Sequence, residues 1–283
     1  MTPSTHPVFW RDESLPYIEL RHVTDGHNVT YAAHSHKEWS IGVIVGGEST
    51  FLCADRRHQV SQGDIVIMNP NVVHHCNPLP KSSWAYYMMH IDVSWLASFL
   101  HQSGVTQEKI FQPTRVDTLH EDDFYVGFIT LAQILMYDQD NTITSEGKDK
   151  HIKAYFAELF HFIYRTKPHE EQKKPAKSII EVATYLDEHY LEDTSIEQLS
   201  EKFALSTGYL VRTFKKHFNL SPHAYRLNKR IQMGQLALKS GGSIIHTAQE
   251  VGFNDQSHFQ RTFKQRVAAT PKQYQSTTKS TQR

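Results

Sequence analysis

The 283-residue sequence has only two cysteines, Cys53 and Cys76, too few for a disulfide framework. No apolar run is long enough to cross a bilayer. The opening residues, Met1-Thr-Pro-Ser-Thr-His-Pro7, are polar and hold no apolar signal core, so a cytoplasmic protein is expected. Net charge is also absent: 30 Lys and Arg stand against 30 Asp and Glu, so any affinity for nucleic acid must be local. No Walker loop, dinucleotide fingerprint or Ser-His-Asp setting occurs, which leaves most enzyme classes and their cofactors without support. The expectation is a protein that is no enzyme and carries no cofactor. The length suits about two domains.

What is present is a repeat. Arg212-Thr-Phe-Lys-Lys-His-Phe-Asn-Leu-Ser-Pro-His-Ala-Tyr225 returns 49 residues later as Arg261-Thr-Phe-Lys-Gln-Arg-Val-Ala-Ala-Thr-Pro-Lys-Gln-Tyr274. Leu210, Phe214 and Phe218 map onto Phe259, Phe263 and Val267, and steps of four mark one buried face of a helix. Upstream the offset is 48: Ile196, Phe203 and Ala204 map onto Ile244, Val251 and Gly252. Each unit therefore reads as helix, tight turn and second helix. Thr194 with Glu197 has the spacing of a capping box, and Ser206 can cap the next helix. Ser221-Pro222 and Thr270-Pro271 have the form of an N-cap followed by proline. Residues 202–283 hold 14 Lys or Arg against Glu250 and Asp255 alone, an excess of 12 that favours a phosphate backbone.

These residues carry a resemblance. The segment 178–275 is similar to the tandem helix-turn-helix domain of the AraC family of bacterial transcription regulators. The family pattern is written here as Ala248-x3-Gly252-Phe253-x3-Ser257-x-Phe259-x-Arg261-x-Phe263-Lys264, then Pro271-x2-Tyr274. Ala268 departs from it, standing where the family has a glycine that ends the helix. The resemblance implies that Gln256, Ser257, Gln260, Arg261 and Lys264 read DNA from the second unit. Thr207, Gly208, Val211, Arg212 and Lys215 hold the matching places in the first. Gly208 and Val211 offer no polar reading group, so the first helix should discriminate less by hydrogen bonds. Promoter DNA, a homodimeric state and, for an activator, RNA polymerase are the implied partners.

The first half has another texture. Three prolines and little periodicity make residues 1–20 an extended arm or irregular edge. Short β-type runs at 17–23, 41–45, 50–54, 64–68 and 86–92 are broken at Gly46-Gly47, Gln62-Gly63-Asp64, Asn69-Pro70-Asn71 and Asn77-Pro78. That spacing suggests a sandwich or small barrel. His34-Ser-His36 and Gly63-Asp64 leading to Asn69-Pro70-x3-His74-His75 resemble the two half-motifs of a cupin barrel, the usual sensor domain of AraC-type regulators. The metal-binding cupin has a Glu on the following strand; this chain has Ser40 and Ile41 where that ligand belongs. His34, His36 and His74 could bind Zn²⁺ or Fe²⁺, hydrogen-bond a small organic effector beside Trp39, or satisfy strand ends.

From about 94 the period lengthens to that of helices. Phe124, Phe128, Leu131 and Leu135, then Ile152, Phe156, Leu159 and Ile163, mark two amphipathic helices that either pack on the barrel alone or, as the resemblance favours, form a dimer interface. The expected organisation is a cupin-like effector-sensing barrel with an N-terminal arm over 1–100, a helical dimerisation region over 101–165 and a charged linker over 166–177. An all-α DNA-binding domain over 178–275 and a disordered tail over 276–283 complete it. The function implied is effector-controlled activation of transcription. The alternatives are a metal-responsive regulator and a cupin enzyme fused to a DNA-binding module.

Overall fold

The structure, a computed structural model, describes residues 7–26, 30–79, 82–138, 142–166 and 176–276. Most of the expected linker and tail therefore lies outside the described residues. Among the described residues, eight antiparallel strands build the N-terminal domain: β1 (Val8–Trp10), β2 (Ile18–Val23), β3 (Trp39–Cys53), β4 (Arg56–Ser61), β5 (Ile65–Met68), β6 (His74–Pro78), β7 (Trp84–Ile91) and β8 (Thr118–Leu119). The order runs β1-β2-β7-β3-β5-β8, with β4 and β6 also on β3.

Strand β3 is the hinge of this cupin-like domain. Its first half pairs with β5 and β7, its second with β4 and β6. Gly46-Gly47, expected as a break between two strands, lies inside one, and β3 runs through it. A bulge lies between Ile44 and Gly46, and Gly47 takes φ +72°, where a Cβ would run into the Ser83 carbonyl. Such a kink lets one strand serve two sheet faces.

Alternation along β3 sorts the core. Trp39, Ile41 and Val43 face a layer formed by α1 (Val93–Gln102), α2 (Asp122–Tyr137) and α3 (Ser145–Thr166). Ile44, Phe51, Val66, Met68, Trp84 and Tyr86 fill the barrel interior instead. Leu131 and Leu135 are buried in the helical layer with Phe156 and Leu159, so these leucines are intrachain core and not a subunit contact. The strand β8 lies in the expected helical region over 101–165, ahead of its two long helices, and pairs with β5, Ile65 opposite Leu119.

The C-terminal domain is all helical: α4 (Lys177–Glu188), α5 (Ile196–Lys202), α6 (Thr207–Phe218), α7 (Pro222–Lys239), α8 (Ile244–Glu250), α9 (Gln256–Val267) and α10 (Pro271–Gln275). Pairs α5–α6 and α8–α9 are the two repeats, joined by α7, and each has its own core. Ser206, Ser221 and Thr270 cap α6, α7 and α10 as their sequence positions indicate. The first capping box is one residue later than expected, formed by Ser195 and Gln198. The arm is not free: Phe9 of β1 is buried in the second unit's core, edge-on to Tyr274 at 5.3 Å.

Ala268 ends α9 in the left-handed region at φ +52°, its N–H donating to the Lys264 carbonyl at 2.8 Å. Asn219 does the same for α6 at φ +54°. A Cβ in that region is strained. Ala268→Gly is therefore expected to stabilise the domain by up to about 1 kcal/mol. Urea unfolding measures this; a destabilised variant would mean that the Ala268 methyl matters more for packing than for strain.

Candidate functional site: the seam between the domains and the exposed faces of the repeats

Helices α6 and α9 present the expected reading residues. Thr207, Gly208, Arg212 and Lys215 are exposed on α6, and Ser257, Arg261 and Lys264 on α9, with Gln256, Gln260 and Val211 half-buried. Asp255 starts α9 by accepting from the His258 N–H at 2.7 Å. Arg212 lies back over Gly208, its Nη1 3.2 Å from where a Cβ would stand. Among the described residues no ion pair engages Arg212, Lys215, Arg261 or Lys264.

Other cations of the basic segment are spent internally. Arg230 donates to the carbonyls of Tyr190, Leu191 and Gly252 at 2.7–2.8 Å and to Asp193 at 2.9 Å, tying the two units together. Lys229 meets Asp187 at 2.7 Å, and Lys239 meets Glu19 at 2.7 Å. Acids outside the 202–283 window reach into it, so fewer of its cations stand unpaired than the local excess implies.

The barrel grips the DNA-binding domain along β2 and the 31–36 loop. Arg21 Nη1 donates to the Val267 carbonyl at 2.6 Å, and the Ala32 N–H to the Gln265 carbonyl at 2.7 Å. Both carbonyls belong to the last turn of α9. Asn228 and Gln232 of α7 donate to the Ser35 carbonyl at 3.1 and 2.7 Å. Glu19 accepts from Arg11 at 2.7 Å as well as from Lys239. Burial alone would raise the Glu19 pKa, but Lys239 and Arg11 outweigh it and hold it down at about 2.

A cavity of about 110 Å³ opens in this seam, walled by Glu19, Arg21, His34, His36 and His90 on one side and Gln232, Leu236, Lys239, Arg266 and Tyr274 on the other. A narrower one of about 30 Å³ continues into the barrel past His74, Phe51, Trp84 and Tyr86. Arg21, His34 and His90 line both. The structure thus brings His34, His36 and His74 together, with ring centroids 4.6 Å apart for His34–His74 and 4.7 Å for His36–His74. Backbone pairing of His34 with His74 sets two of them side by side.

Nδ1 of His34, His36 and His74 each lies 2.9 Å from a carbonyl oxygen, of Ala32, Glu38 and Val72. A carbonyl only accepts, so Nδ1 carries the proton and Nε2 is left as an acceptor. Burial pushes His36 and His74 down to about 3, and likewise lowers His34 and His90. The rings are neutral at neutral pH. Among the described residues no group of three His, Cys, Asp or Glu is arranged to hold a metal ion.

Trp39 is not in the site. It points the other way on β3, fully buried against Phe156 and Phe160 at 5.9 and 4.9 Å. The residue that faces the histidines is Ser40, whose Oγ is 2.7 Å from His90 Nδ1. His90 and Arg21 escaped the sequence reading, although alternation along β7 puts His90 on the inner face with Tyr86 and Met88.

The chain matches the profile of the AraC-like ligand binding domain over residues 16–177 and that of a helix-turn-helix domain over 199–277. A Bacillus subtilis (strain 168) protein described as an uncharacterized HTH-type transcriptional regulator, YbfI, is 26% identical over 232 residues, 80% of each chain. A Staphylococcus aureus (strain COL) regulator of the same description is 22% identical over 235 residues, and this chain spans only 31% of its length. Among solved structures, apo ToxT from Vibrio cholerae superposes with TM-score 0.56 at 11% identity, over 92% of this chain and 97% of that one. No helix among the described residues is long and apolar enough to cross a membrane. The first profile alone covers more than half of the sequence, and what it describes is the barrel and helical layer that grip a tandem helix-turn-helix unit: the chain belongs to the AraC family, DNA-binding transcription regulators with a ligand-binding domain and not enzymes.

Proposed function

We propose that this protein is a cytoplasmic, dimeric activator of transcription whose promoter binding is set by a small-molecule effector lodged between barrel and DNA-binding domain. One observation carries this reading. The seam cavity has one wall from each domain, and the last turn of α9 hangs from Arg21 and Ala32. A helix moves as a rigid rod, so a change at its C-terminal end re-aims the reading residues at the other. His34, His36 and His74 are the effector contacts in this reading; Trp39 is dropped. ToxT, whose fold this chain shares, has been solved with an unsaturated fatty acid bound.

The dimer would use the exposed stripe of α2, Val126, Thr130, Gln133 and Tyr137, since Leu131 and Leu135 face inward. RNA polymerase is the further partner of an activator. On DNA, α6 and α9 enter successive major grooves, with Arg261 and Gln256 suited to guanine and adenine edges.

Arg261→Ala is expected to weaken binding to the cognate promoter by about 1–3 kcal/mol and to relax preference at one base position. Fluorescence anisotropy on promoter variants at two salt concentrations measures both. A loss uniform across sequences, with the salt slope lowered by about one, would make Arg261 a phosphate contact.

A further inference from the structure

The seam holds more positive charge than its acids balance. Glu19 is committed to Arg11 and Lys239. Glu38, the other acid on the cavity wall, lies 4.0 Å from His36 Nδ1. Arg21 and Arg266 face the same cavity from opposite domains, neither within ion-pair distance of a carboxylate among the described residues although Glu19 acts on Arg21 from farther off, and each leaves a buried Nε unpaired. Arg21 is only 6% exposed. A buried guanidinium with no carboxylate bonded to it is costly, and two of them across one cavity fit an oxyanion.

The imidazoles add a second requirement. His34 and His74 use Nδ1–H on backbone carbonyls, so each offers Nε2 only as an acceptor. Acceptors repel a carboxylate and call for hydroxyl donors. Beyond Arg21 and the imidazoles at its mouth, the inner cavity is walled by Phe51, Met68 and Trp84, which suit a carbon skeleton.

We infer that the effector is an organic hydroxy acid, its carboxylate between Arg21 and Arg266 and its hydroxyls donating to His34 and His74. This rests on the seam being the effector site. A carboxylate on Arg21 competes with the Val267 carbonyl for the same guanidinium, so binding loosens the end of α9. A plain fatty acid leaves the imidazole acceptors unmet, and a neutral sugar leaves the two cations unmet.

Calorimetric titration of the full chain with gluconate, galacturonate and 3-hydroxybutyrate tests this, beside sorbitol, galactose, butyrate and oleate. At least one hydroxy acid is expected to bind, with its neutral or deoxy counterpart at least about tenfold weaker. Arg21→Gln and Arg266→Gln should each weaken that binding by about tenfold to a hundredfold. His34→Phe should erase the preference over the deoxy acid. Arg266 is half-exposed, so its variant remains informative should the Arg21 variant fail to fold. Binding by no hydroxy acid, an equal response to a neutral sugar or plain acid, or unchanged affinity in both arginine variants would overturn the inference. A wild-type protein that binds no promoter DNA would instead sink the regulator reading on which it rests.

Discussion

Glu19→Ala is expected to cost about 3 kcal/mol and to open the seam between the domains. Removing one member of a buried ion pair leaves the others as uncompensated charges, and here two cations depend on one carboxylate. Arg11 and Lys239 both meet it at 2.7 Å, one from the arm and one from the last turn of α7. The loss should appear as a lower urea midpoint and as faster amide exchange in the 31–36 loop and the end of α9. Adding Lys239→Met to Glu19→Ala should recover part of the loss, because the stranded cation goes too. A single variant that unfolds with wild-type behaviour and keeps wild-type exchange at the seam would show that the other contacts suffice.

Acid should act on the same seam through the histidines. His36 and His74 sit near 3 when folded against an ordinary value of 6.5, because burial disfavours the charged ring. The unfolded chain therefore takes up protons that the folded one refuses, and stability falls as pH drops below 6.5. At pH 5 the cost is about 2 kcal/mol for each of these two rings, and His34 and His90 are shifted in the same direction. Of the groups facing the cluster, the cations Arg21, Arg266 and Lys239 worsen it, the acids Glu19 and Glu38 offset part of that without outweighing burial, and Ser40 is neutral. Glu19 enters later: held at about 2, it contributes above its ordinary 4.5 and fades as pH falls toward 2. Thermal unfolding between pH 7 and 5 should show a steep loss that His36→Gln with His74→Gln reduces in part, the rest staying with His34 and His90. A flat wild-type profile over that range would mean that the rings are hydrated or already charged.

Much of the DNA-binding half was legible because its determinants are local. Steps of four at Leu210, Phe214 and Phe218 and at Phe259, Phe263 and Val267 name the buried faces of α6 and α9, and caps lie within three residues of what they cap. The Ala268 backbone could be foreseen from the need for a left-handed residue at a helix end. Strand parity was legible too, and ignoring it misplaced Trp39: a period of two sends Trp39 with Ile41 to the helical layer and Ser40 toward His90.

The sequence by itself determined two domains, a tandem helix-turn-helix with its buried faces, and a barrel bearing clustered histidines. Periodicity and capping are short-range physics, and the chain carries them in plain order. Tertiary structure alone decided that β3 bends through Gly46-Gly47, that Phe9 completes the core of the other domain, and that Arg21 holds the end of α9. Arg21 and Val267 are 246 positions apart, Ser35 and Asn228 193. Such contacts join isolated polar side chains to backbone carbonyls, and neither partner leaves a periodic mark. Charge behaves the same way: whether Lys239 faces DNA or Glu19 depends on which surfaces meet, and that is settled only when the domains close on each other.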